Sequence, residues 1–186
     1  MIEPENIFRI LKETKDSIQK NDFSRLKELS NQTIHSASIS QDQDNISVAV
    51  TVYSIGKIFE RLDYKSLPGW NNFQKVILDS LDKSIKYLGK NDLENFRFNF
   101  SFLGKAINKI SGKLKIYIND VFEKAKINKA SRMHEHGISL GQTAKLLGIS
   151  LYELAGYTGN TGIAEVNFGR TLDEKSRIKL VEDIFK

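Results

Sequence analysis

The chain is expected to be all-α: an N-terminal helical bundle, a compact helical corner, and an amphipathic helix at the C-terminal end. Three observations lead there. Apolar residues recur at every third or fourth position through successive stretches. Breakers such as Asn21-Asp22, Pro68-Gly69, Gly112, Gly137 and Gly148 fall between those stretches. Ser139/Gln142, Ser150/Glu153 and Thr171/Glu174 have the spacing of N-terminal capping boxes, each ahead of apolar residues.

Pro4 suits a first helical turn and opens a helix to about Lys20, with Ile7, Phe8, Leu11 and Ile18 inward. Asn21-Asp22 breaks and recaps the chain. The second helix carries Phe23, Leu26, Leu29, Thr33 and Ala37 and ends near Ile39, before a polar loop over 40–44. From Asn45 to Leu62 two periods compete. Ile46, Val48, Val50 and Val52 alternate like a strand, but Thr51, Ser54, Lys57 and Arg61 recur at helical spacing, and the long apolar run favours a helix buried over most of its circumference. Phe96, Phe98, Phe100 and Phe102 pose the same conflict. There the longer series Leu93, Phe96, Phe100, Leu103, Ile107, Ile110 predicts a helix. Between these segments, Trp70, Phe73, Ile77, Leu81, Ile85 and Leu88 form the stripe of a helix over 70–88. A helix from about Leu114 to His136 turns Tyr117, Ile118, Val121, Phe122, Ala125 and Met133 inward. Glycines at 156, 159, 162 and 169 read as a loop. Ile178, Val181, Ile184 and Phe185 then stripe the final helix. The division expected is a bundle over 1–110, a basic helix plus corner over 111–169, and the last helix over 170–186.

The corner is the most informative stretch. Ser139 caps a short helix whose face carries Leu140, Ala144 and Leu147. Gly148 can take the left-handed conformation that ends it. Ile149 plugs the angle, and Ser150 with Glu153 starts the next helix. Ala144 leaves room for the second helix to cross. This looks like a helix-turn-helix. It is similar to that of small prokaryotic antitoxin-like proteins and transcriptional regulators, where a Ser-Leu start, a small residue and a Gly-Ile-Ser turn precede a Tyr/Trp-Glu-Leu/Phe helix. The resemblance covers about a tenth of the chain.

Transcription regulation through DNA is what that resemblance implies. Lys124, Lys129, Arg132, Gln142 and Lys145 are then candidate phosphate contacts, with Ser150 and Tyr152 at the groove-entering helix. That helix brings Leu151, Tyr152, Glu153 and Ala155 where base reading ordinarily uses Arg, Lys, Asn or Gln. Weak or shape-based recognition fits better, strengthened by a homodimer. Charge placement points the same way. Between Lys105 and Glu135 eight basic residues face three acids, a difference of five that equals the net charge of the whole chain.

Composition narrows the rest. At 186 residues and 40% apolar, the chain can bury a substantial core. Without cysteine it has no disulfide, thiolate metal site or cysteine nucleophile. No run of about 18 apolar residues is present, and Met1-Ile2-Glu3-Pro4-Glu5 is unlike a signal peptide, so a cytoplasmic protein without a membrane partner is expected.

The competing reading is a protein-interaction module that uses the corner as a packing unit and engages its partner through Ile178, Val181, Ile184 and Phe185. Enzymatic activity is not expected. Asn31 and His35, four apart on one helix face, resemble the polar-plus-histidine signature of HEPN domains, helical bundles that often cleave RNA. That family has an arginine four to six residues before its histidine. Here the window holds Ser30, and Arg25 lies too far back, so the imidazole lacks a partner to neutralise phosphate. No cofactor or metal is expected. His134 and His136 are two apart and point to different sides of a helix, Asp42 and Asp44 lack the further oxygens of a calcium loop, and Thr158-Gly159-Asn160-Thr161-Gly162 lacks a phosphate-loop lysine.

Overall fold

The computed structural model describes residues 3–108 and 112–160, and side chains among them outside 102–108 and 157–160. Every regular element in those ranges is helical: α1 (Pro4–Lys20), α2 (Phe23–Ser40), α3 (Gln43–Glu60), α4 (Leu62–Lys65), α5 (Trp70–Leu88), α6 (Leu93–Asn108), α7 (Gly112–Glu135), α8 (Leu140–Leu147) and α9 (Leu151–Asn160). The all-α class therefore holds.

The punctuation has local causes. Asn21 takes the left-handed conformation that ends α1, and the Asp22 carboxylate accepts from the Arg25 N–H to cap α2. Asp44, in the first turn of α3, accepts a forked pair of bonds from Arg97 of α6. The stretch with strand-like alternation is α3. Its Ile46, Val48, Val50, Val52, Ile55 and Ile58 are all buried. Each buried aliphatic contributes roughly 1.5–3 kcal/mol, whereas a β-branched residue costs a helix no more than about 0.7 kcal/mol. Burial wins.

Two apolar clusters share the long helices. The first holds Ile10, Leu29, Ile55, Phe73, Phe96 and Ile118 among others. The second gathers Ile34 and Ala37 at the end of α2, Ile46 and Ala49 at the start of α3, and Ala130 and Met133 of α7. Ile138, Ala144, Leu147 and Leu154 join that second cluster, so the corner of α8 and α9 is built onto the bundle's own helix ends. The division expected at residue 110 falls within 109–111, outside the described residues.

Tyr117 is a correction. It was expected inward, but it lies at the surface stacked on Tyr64, ring centroids 5.2 Å apart. Ile118, one residue on, takes the inward position. A second correction concerns α9, which continues as helix through Gly156 and Gly159 to Asn160 where a loop was expected. Among the described residues no helix is long and apolar enough to cross a membrane.

Candidate nucleic-acid interface

The turn between α8 and α9 is assembled from backbone conformation and caps. Ser139 Oγ accepts from the Gln142 N–H at 3.2 Å. Gln142 does not close the expected box, because its side-chain amide donates instead to Gln41 Oε1 at the end of α2. Gly148 sits at φ 64°, and the Ile149 N–H donates to the Ala144 carbonyl at 3.1 Å, closing the helix end in the manner of a Schellman turn. The second box is complete. The Glu153 N–H donates to Ser150 Oγ at 3.1 Å, while Glu153 Oε2 accepts from the Ser150 N–H at 2.9 Å. The Ser150 hydroxyl also donates to Glu153 Oε2, at 2.6 Å, and this bond first, then the one from the Ser150 N–H, holds the Glu153 carboxyl below its ordinary range, so its negative charge stays fixed at the start of α9.

Ala144, Leu147 and Leu154 are buried within the corner and Ile149 is half-buried, as their spacing predicts. Tyr152 is 88% exposed and Leu151 53% exposed, so the first turn of α9 turns an apolar and phenolic surface outward. Gln142, Lys145 and Ser150 are exposed beside it.

The basic residues of α7 do not form one face. At about 100° per residue, Lys124 and Arg132 lie about 80° apart around the helix, and Lys126 about 160° from Lys124. Each donates to an acid of its own helix: Lys124 to Asp120, Lys126 to Glu123 and Arg132 to Glu135, all at 2.8 Å. Exposed pairs of this spacing contribute well under about 1 kcal/mol, so a phosphate can displace the acid. Lys124 and Arg132 thus stay accessible.

Lys129 does not, and its expected role as a phosphate contact is corrected. Its side chain is 0% exposed. Nζ donates to Asn31 Oδ1 of α2 at 2.9 Å and lies 4.2 Å from the Tyr53 ring centroid of α3. Burial first, then the positive charges of Arg132 and Lys27, push its pKa down from 10.5 to about 7. A signal for this existed. Lys129 stands four residues from both Ala125 and Met133, inside the apolar stripe of its helix.

His35 meets His136 edge to face, ring centroids 4.9 Å apart. His134 instead has Nδ1 2.9 Å from the Ile138 carbonyl oxygen, so the two histidines of the His-Glu-His run are committed to different neighbours. No group of three or more His, Cys, Asp or Glu capable of holding a metal occurs among the described residues. Ile178, Val181, Ile184 and Phe185 lie outside the described residues, as does most of the glycine-rich run.

No family model, curated protein or solved structure matches the chain.

Proposed function

We propose that the protein binds duplex DNA through α8 and α9, as a cytoplasmic regulatory factor of the antitoxin-like kind, recognising shape and backbone in preference to base edges. The observation that carries this reading is the outward presentation of Tyr152 on a correctly capped second helix, with Lys145 and Gln142 exposed on the first. Tyr152 can reach a phosphate or a thymine methyl. Gln142, Lys145, Lys124 and Arg132 supply phosphate contacts, and Ser150 with its N–H fixes the helix start. Glu153 opposes close approach to the backbone and keeps the affinity low. A homodimer raises it by placing two corners about 34 Å apart, one turn of duplex.

Titration of the full chain against bulk duplex at low salt tests this. Binding should weaken steeply as salt is added, and Lys145→Gln should lessen that slope. Absence of binding, or binding indifferent to Lys124, Arg132 and Lys145, removes the proposal.

A second reading, in which the corner packs against another protein, is favoured by the apolar exposure of Leu151 next to Tyr152. Sedimentation across concentration separates the two for self-association. A dimer lost in Leu151→Ser but retaining duplex affinity per chain supports packing, and a monomer at every concentration removes that form of it.

A further inference from the structure

The seam where α7 meets α2 gathers basic groups that the DNA reading leaves mostly unused. Lys27, Asn31 and His35 follow one another at four-residue intervals along α2, and Lys129, Arg132 and His136 at intervals of three and four along α7 and just past its end. Each set occupies one side of its helix. Two contacts tie the sets together: Lys129 Nζ to Asn31 Oδ1 at 2.9 Å, and the His35 ring to the His136 ring at 4.9 Å. Lys27, His35, Arg132 and His136 are exposed around the buried Lys129. Tyr53 of α3 closes the inner side of the amine.

The charges that act on Lys129 are those of Arg132 and Lys27, both cationic. The carboxylate recorded at the rim, Glu135, accepts from Arg132 Nη1. A buried amine crowded by like charges is electrostatically unfavourable as it stands, and an anion laid over the seam reverses the sign of that interaction. The donors suit one class of anion. A guanidinium and two imidazoles carry several N–H groups along this seam, and a tetrahedral oxyanion has acceptors enough to meet them.

We propose that the α2–α7 seam is a binding site for a phosphate group, contacted by His35, Arg132 and His136, with Lys27 at one end and Lys129 beneath as a positioning charge held by Asn31. The site shares Arg132 with the DNA reading but does not depend on α8 or α9. Free phosphate and the backbone of a nucleic acid offer the same chemistry, so both serve as probes.

The test is calorimetric titration of the full chain, at low salt, with inorganic phosphate and separately with a single-stranded oligonucleotide. At least one probe should bind, and the double variant Arg132→Gln/His136→Gln should weaken that binding about tenfold or more. Both positions are exposed, and circular dichroism verifies that the variant stays folded. Lys83→Gln, at an exposed position of α5 away from both surfaces, should leave it unchanged within about twofold. Binding of inorganic phosphate lost in the double variant identifies a free phosphate as sufficient, whereas loss of oligonucleotide binding alone identifies a backbone phosphate. The proposal is overturned if neither probe binds at about 10 mM phosphate or about 50 µM oligonucleotide, or if the double variant binds as the parent does. Oligonucleotide binding lost in Lys145→Gln but kept in the double variant overturns the seam while sparing the helix-turn-helix.

Discussion

Replacing Lys129 with methionine gives a direct measure of how the interior treats that amine. In the unfolded chain the group keeps its proton to about pH 10.5, and in the folded chain burial, then Arg132 and Lys27, lower its pKa to about 7. Between those values the unfolded state binds more protons, so stability must rise with pH across that window. The separation, 10.5 minus about 7, is about 3.5 units, on the order of 5 kcal/mol across the full window. From pH 7 to pH 9 it yields about 2 kcal/mol. The Tyr53 ring and the Asn31 carbonyl both favour the ammonium, so they resist the shift, and 2 kcal/mol is the upper figure. Urea unfolding of the parent and of Lys129→Met at pH 7, 8 and 9 reads the difference. The parent should gain up to this amount relative to the variant as pH rises. Losing a bond to Asn31 shifts the variant by a constant, because an amide does not titrate. Parallel stability curves would refute the reasoning and leave Lys129 an ordinary charged lysine.

Other substitutions test the corner and the bundle. Gly148→Ala adds a Cβ that meets nothing within 4 Å, so its cost is that of the left-handed backbone alone, about 1 kcal/mol by urea midpoint; no loss at all would mean the turn does not need φ 64°. Gly56→Val should cost about 1–3 kcal/mol, since a Cβ there approaches buried Leu26 Cβ to 3.1 Å where α2 and α3 pack, and a thermal midpoint equal to the parent's would count against that contact. Glu153→Gln removes a fixed negative charge from the start of α9, so duplex affinity at low salt should rise by about two- to fivefold, and a fall would show that the carboxylate aids binding.

Much of the fold was legible because its signals are local. A capping box spans four residues, a left-handed helix end spans two, and the 3.6-residue period of Trp70 to Leu88 lies within a single stretch. The β-branched run of α3 was readable only by weighing its length against its alternation. The candidate site was less legible. The turn followed from spacing and the surface role of Tyr152 from the helix-turn-helix resemblance, but the basic helix was read as a single field. The place of Lys129 between Ala125 and Met133 marked it as inward, but sequence order could not say what it would meet there.

By itself, then, the chain determined that it is helical, where its long bundle helices are broken, and that Ser139 to Leu154 form a capped corner; it did not show α4 or the run of α9 past Gly156. Only the tertiary structure decided which groups the inward cation meets. Asn31 and Lys129 stand 98 residues apart, and nothing in either neighbourhood encodes their meeting. Helix formation depends on backbone bonds between residues four apart. The state of a charge depends on the dielectric and the partners that distant helices bring to it.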